Sequence, residues 1–200
     1  MESKIDKYKI KENYITRNPS PEDWRNHPNG QILNLYSNII KGKVFDFGCN
    51  HGAETFLICE NENVTKVTGL DLNCDAIDIA NKTKEQFSDC NINFICSNII
   101  DFEINEKYDT IISFHTIEHI YPEDIDSIIK KLLESLNNEG YCIISIPYEH
   151  AYDNGVQHVA YYNENSLKEV FEKNGFKTIE CIKDDRHSEG NLLTGIFIKK

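Results

Sequence analysis

The chain is predicted to fold as an α/β domain, a doubly wound, mostly parallel seven-stranded sheet with an antiparallel final strand. Three observations carry that expectation. Short apolar runs alternate with helix-period segments from Gly42 onward, the order of βαβ units with helices on both faces of a sheet. The run Asp46-Phe47-Gly48-Cys49-Asn50-His51-Gly52 sets a glycine-bearing turn directly after the first strand, where backbone can come close to a ligand. The last two apolar runs are joined only by a charged loop, Lys183 to Asn191, with no crossover helix, so they pair as an antiparallel hairpin.

The elements follow in order. Residues 1 to 29 are polar and punctuated by Pro19, Pro21 and Pro28, and Gln31 to Ile40 then shows a helical apolar period that Gly42 ends. Val44 to Phe47 is strand one and Ala53 to Cys59 the helix after it; Lys66 to Leu70 is strand two and Cys74 to Phe87 its helix. Asn93 to Cys96 is strand three, Tyr108 to Phe114 strand four, and Pro122 to Leu136 a helix. Asn137-Asn138-Glu139-Gly140 reads as a turn into strand five, Tyr141 to Ile146. Ser166 to Asn174 is a helix stopped by Gly175, and Phe176 to Ile182 with Leu192 to Lys199 make the hairpin.

With 200 residues the chain can bury one core of its own. Its 40% hydrophobic share and mean hydropathy of -0.50 fit a soluble globular protein. No apolar run approaches the roughly 20 residues of a bilayer span, and Met1 to Lys11 mixes charges without an apolar signal core. The seven cysteines, Cys49, Cys59, Cys74, Cys90, Cys96, Cys142 and Cys181, are odd in number and never form a CxxC pair. They read as reduced, mostly buried thiols of a cytoplasmic protein, not as a disulfide frame or zinc site. A net charge of -12, from 33 acids against 21 bases, repels a phosphate backbone. A long nucleic-acid footprint is therefore disfavoured, and a small molecule is the expected partner.

The first strand, its glycine turn and the helix behind it favour a ligand with negative charge. The second strand ends at Asp71, an acid placed to take both hydroxyls of a ribose. Together they read as a nucleoside half-site. The three-glycine dinucleotide fingerprint is not matched. The spacing Asp46-x-Gly48-x-Asn50-x-Gly52 instead resembles motif I of the class I S-adenosylmethionine-dependent methyltransferases. Asn50 stands where that family has its middle glycine, and asparagine tolerates positive φ. The resemblance implies a seven-stranded sheet, S-adenosylmethionine as methyl donor, and residues 1–41 as a cap segment before a methyltransferase domain over 42–200. It also implies that Asp46, Gly48, Asn50 and Gly52 line the methionine end, that Asp71 binds the ribose and that Leu72 lies against the adenine. Asn98 falls near the adenine amino group, with Asp101 as its competitor and an Asx-turn as the structural alternative. His115 would border the cofactor at the end of strand four. In the cap, Trp24, with Arg25 and His27 beside it, either shapes the acceptor pocket or simply packs on the sheet.

Strand four delivers His115, Glu118 and His119 at its carboxyl end, where open α/β sheets place functional groups. The piece Ile117-Glu118-His119-Ile120 is similar to a small-molecule branch that includes ubiquinone-pathway O-methyltransferases. On a helical turn the three polar residues share one side, and His158 follows later, before the Ser166 helix. A set of His115, Glu118, His119 and His158 could hold Mg²⁺ or Mn²⁺ and acidify an acceptor hydroxyl. Small-RNA 3′-terminal 2′-O-methyltransferases are similar in having Glu-x-x-Glu-His and a later His; here His115 replaces the first Glu and their RNA-binding extensions are missing. Without metal, His119 or His158 is the candidate general base, with Glu118 the third catalytic candidate. A bland alternative leaves Glu118 and His119 to cap and orient the next helix. Glu149, His150 and His187 add to the polar residues of the loops.

The expected reaction is O-methylation of a small polar acceptor such as a sugar or sugar-nucleotide hydroxyl. Four alternatives stay open: N-methylation of a small amine, 2′-O-methylation of an RNA 3′ end, a nicotinamide-dependent oxidoreductase, and a non-catalytic S-adenosylmethionine-binding partner subunit. The oxidoreductase would need a second nucleotide-binding half and a Tyr-x-x-x-Lys pair, but Tyr36 is followed by Ile40 and Tyr148 by Tyr152. No basic-apolar helix suited to a membrane-held quinol is evident.

Overall fold

The computed structural model describes residues 21–87, 91–149, 151, 158–184 and 191–200. Its strands are β1 (Gly42–Phe47), β2 (Val64–Asp71), β3 (Ile92–Cys96), β4 (Tyr108–Phe114), β5 (Leu136–Pro147), β6 (Phe176–Asp184) and β7 (Leu192–Lys199). Its helices are α1 (Pro21–Asn26), α2 (Pro28–Leu35), α3 (Ala53–Cys59), α4 (Cys74–Lys84), α5 (Pro122–Ser135) and α6 (Glu164–Glu172), with a 3-10 turn at Ile117–His119. The sheet order is β3-β2-β1-β4-β5-β7-β6. Pairings are parallel from β3 through β5, and β7 runs antiparallel to both β5 and β6. The expected α/β sheet with its antiparallel final strand is therefore present. Strand order reverses between β1 and β4, and such a switch point opens a ligand crevice at the strands' carboxyl ends.

Two apolar clusters cover the sheet. One gathers Phe45, Ile111, Ile128, Leu132, Phe171 and Phe197 under α5 and α6. The other gathers Trp24, Val44, Phe56, Ile77, Ile112 and Ile143 under α1 to α4. Alternate residues of β1 and β4 thus bury on opposite faces, which is why these strands read as nearly continuous apolar runs. Each fully buried Ile or Phe contributes about 1.5–3 kcal/mol of transfer free energy.

Several boundaries differ from expectation. Prolines 21 and 28 open α1 and α2, because a helix's first residue needs no N–H partner and a fixed φ suits it. Read as breakers, they hid α1. His27 caps α2 by accepting the Asn29 N–H, and the helix stops at Leu35 rather than Ile40. The Asn137–Gly140 segment is part of β5, not a turn. Leu136 pairs with Tyr108, and the register shifts between Tyr108 and Thr110, so turn-type residues are absorbed in a strand irregularity.

The expectation of reduced thiols throughout is corrected. Cys74 and Cys96 are disulfide-bonded, with Cα atoms 5.1 Å apart, and Cys59 is disulfide-bonded as well. Cys49, Cys142 and Cys181 are free and buried; Cys90 lies outside the described residues. β3 pairs with β2 so that Cys96 stands opposite Asp71, and α4 opens with Cys74 just beyond. Strand adjacency makes the pair, and no local spacing in the sequence reveals it. Among the described residues, no helix is long and apolar enough to cross a membrane.

Candidate active site

The turn after β1 is built on left-handed backbone. Gly48, Asn50 and Gly52 have φ of 83°, 47° and 86°, so Asn50 does tolerate the conformation expected of it. A Cβ on Gly48 would collide with the Thr116 side chain, which explains why the position has none. The amides of Gly48 and Cys49 donate to Leu70 O at 2.8 and 3.1 Å, fastening the turn to β2. Beneath it, the Thr55 hydroxyl donates to Asp46 Oδ2. Burial pushes the Asp46 carboxyl up to about 7, with the Thr55 bond opposing and the charges of Glu54 and Asp71 adding.

Asp71 also holds the turn together. Its Oδ2 accepts the Asn50 N–H at 2.8 Å and its Oδ1 the Asn73 N–H at 2.8 Å. Burial raises its pKa while these amides pull it down. The Leu72 amide lowers it as well, and a carboxylate's four lone-pair sites leave room for a ligand beside these amides. Asn98 makes the Asx-turn of its structural alternative: Oδ1 accepts the Ile100 N–H at 2.9 Å, while the buried Nδ2 has no partner among the described residues. Lys131 steadies the same loop by donating to Ile99 O, Ile100 O and Phe102 O at 2.7, 2.8 and 2.9 Å. Leu72 is half-buried between these groups, whereas Asp101 is exposed. The residues present fit the cofactor that the sequence implies: a glycine turn, a carboxylate and an unspent amide donor stand at the carboxyl ends of the adjacent strands β1, β2 and β3.

Helices α1 and α2 pack beside this turn. Trp24 stacks on Phe56 of α3 at 5.8 Å between centroids and meets the His51 ring edge-on at 6.5 Å. Asn29 Nδ2 donates to Glu54 Oε1 at 2.7 Å, and Arg25 pairs with Glu60 at 2.6 Å. Trp24 thus packs α1 on α3 and the β1 turn, where the plainer expectation had it on the sheet. Sequence reasoning missed Asn29, Glu54 and His51; the only trace was that Asn29 and Glu54 are polar where a core helix would be apolar.

On the acceptor side, His115 leaves β4 at φ 49°, and its N–H donates to Ser145 O at 2.8 Å. That kink ends β4 just ahead of the Ile117–His119 turn. Glu118 is 2% exposed, and neither carboxylate oxygen has a hydrogen-bond partner among the described residues. His115 Nδ1 stands 3.7 Å from Glu118 Oε1. The Glu118 carbonyl accepts the amides of Val159 and Ala160 at 2.9 and 3.1 Å, and this bond brings His158 in. The His119 and His158 rings lie 5.2 Å apart. One ligand atom from each of Glu118, His119 and His158 lies within 4.8 Å of the others; His115 is outside that trio. Burial drives Glu118 up to about 8. Burial, then the charges of His27, His119 and His158, drives His115 down to about 4. At neutral pH the two are therefore an uncharged acid and an uncharged base, not an ion pair. His150, Tyr152 and His187 lie outside the described residues.

A family model described as a methyltransferase domain matches residues 22–181. The chain belongs to that family, and its fold is that of the S-adenosylmethionine-dependent methyltransferases. It is 29% identical over 102 residues to a malonyl-[acyl-carrier protein] O-methyltransferase of Acetivibrio thermocellus, covering 51% of this chain and 34% of that one. It is 29% identical over 116 residues to a ubiquinone biosynthesis O-methyltransferase of Rickettsia canadensis, covering 58% and 47%. The chain thus spans a third to a half of the length of these relatives. The N-methyltransferase NodS of Bradyrhizobium japonicum, solved with S-adenosyl-l-homocysteine, superposes with a TM-score of 0.73 at 17% identity, covering 97% and 95%. That likeness is one of fold.

Proposed function

We propose that the chain moves the methyl group of S-adenosylmethionine onto a hydroxyl of a small polar acceptor. The observation that carries this reading is Glu118, a buried carboxyl whose two oxygens have no hydrogen-bond partner among the described residues, set beside His119 and His158. A buried polar group without a partner costs about 1–3 kcal/mol, and such a cost is kept where a ligand supplies the partner. The cofactor, when bound, supplies an electrophilic methyl group. Asp71 would hold its ribose, Asn98 Nδ2 would donate to its adenine, and the Asp46–Gly52 turn would face its methionine end.

The acceptor hydroxyl then needs a proton taken from it and a fixed position in line with the methyl. His119 and His158 are the groups to take that proton, and Glu118 is the group to orient it. A divalent cation such as Mg²⁺ or Mn²⁺ could be held by the same three side chains, the Glu118 carboxylate being its ordinary ligand and the two imidazoles favouring Mn²⁺ over Mg²⁺. Bound there, it would acidify the acceptor hydroxyl. Two similar curated proteins are O-methyltransferases by name, which favours oxygen over nitrogen as the acceptor atom. Tyr148 and Tyr161, placed beside Lys183 and His158, offer the stacking and hydrogen-bonding surface that a sugar or sugar nucleotide uses.

A labelled methyl-donor assay over sugars, sugar nucleotides, catechols and amines tests the proposal, with chelator and then with Mg²⁺ or Mn²⁺ restored. Label should enter a hydroxyl acceptor, fall on chelation and return with one of the cations. Transfer to amines alone would overturn the O-methyl reading. Activity untouched by thorough chelation would remove the cation and leave His119 and His158 as the bases.

A further inference from the structure

We propose that Cys74 and Cys96 form a reversible dithiol site whose disulfide state sets the affinity for the cofactor, an inference resting on the cofactor reading above. The bond straps together two walls of the nucleoside crevice. One wall is the turn from Asp71 to the start of α4: Asn73 N donates to Asp71 Oδ1 at 2.8 Å, and Cys74 is the first residue of the helix. The other wall is the end of β3, where Cys96 is register partner to Asp71 and leads into Ser97 and Asn98. Ser97 N donates to Asp71 O at 3.0 Å, and Cys96 Sγ lies 3.8 Å from Leu72 O. Within this short stretch stand the ribose carboxylate, the adenine-facing Leu72 and the unspent Asn98 amide. The disulfide closes a loop with a sequence separation of 22 that contains all of α4.

Both cysteines are exposed, so a dithiol reductant, small or protein-borne, can reach the bond. One reductant thiolate attacks a sulfur, releases the other cysteine as a thiolate, and forms a mixed disulfide. The second reductant thiol then displaces it, so two electrons pass to the protein and the reductant leaves as its own disulfide. With the strap open, β3 stays paired with β2 through its ladder and the Ser97–Asp71 bond, but the start of α4 loses its covalent tie to the end of β3. Ordering them then falls to the cofactor, and binding that must order its own site is weaker. The oxidised form is the high-affinity form. The Cys59 disulfide begins at the last residue of α3, and Cys59→Ser serves as the control for a bond other than Cys74–Cys96.

Titration calorimetry with S-adenosylhomocysteine on the oxidised protein and on protein reduced with dithiothreitol tests this, the thiol state of each sample being read by alkylation and mass spectrometry. Reduction should weaken binding about five- to twentyfold. Cys96→Ser should bind like the reduced protein without any reductant and no longer respond to one, whereas Cys59→Ser should keep the response. Equal affinity in two verified redox states would overturn this inference and leave the cofactor reading standing. A full redox response in Cys96→Ser would also overturn it. No binding in either state would remove both together.

Discussion

Glu118→Gln is expected to stabilise the ligand-free protein at alkaline pH while lowering methyl transfer at least about a hundredfold, the scale of a lost acid–base or ligand group. The sign follows from the proton balance. Unfolded, the carboxyl titrates near 4.5; folded, burial holds it protonated up to about 8. Between those values the folded chain binds more protons than the unfolded one, so stability falls as pH rises through that window. Asp46, raised from 3.8 to about 7 by burial, slopes the same way. The Glu118 penalty is absent below its unfolded value and complete above about pH 8. Gln carries no charge, so the variant should gain on the order of 1–3 kcal/mol over wild type near pH 8.5 and little at pH 4. Thermal melts across pH read the difference. A variant less stable than wild type at pH 8.5 would mean that Glu118 is charged and partnered in the fold.

Asp71→Ala is expected to weaken S-adenosylhomocysteine binding by about 1.5–3 kcal/mol, the scale of lost charge-assisted hydrogen bonds. It should also destabilise the fold by about 1–3 kcal/mol. From its place at a strand end, the residue looks dispensable for folding. The bonds from Asn50 N and Asn73 N show otherwise, because the Asn50 turn and the start of α4 both hang on this carboxylate. Asp71→Asn, which keeps one acceptor oxygen, should recover part of each loss. Unchanged affinity in Asp71→Ala would place the ribose elsewhere.

The sheet was legible because its strands carry their own signals: Ile111 and Ile112 of β4 bury on both faces, and the charged loop before Leu192 leaves room only for a hairpin. The glycine turn and Asp71 were legible because left-handed backbone and a strand-end acid restrict residue type. What lay hidden depends on contacts between distant segments. That His158 stands with Glu118 was expected from the sequence; the Val159 and Ala160 amides that hold it there were not, because any residues could supply them. Cys74 meets Cys96 because β3 lies beside β2. The α1 helix was obscured because proline starts a helix as readily as it ends one. Glu118 was singled out by its neighbours His115 and His119, but its burial without a partner could be seen only in the folded chain.

The central claim is that the crevice between the β1 turn and Asp71 holds S-adenosylmethionine. Titration calorimetry of the oxidised, folded protein with S-adenosylhomocysteine tests it most directly. One equivalent should bind per chain with a dissociation constant in the micromolar range. No heat at millimolar ligand, with circular dichroism confirming the fold, would contradict it.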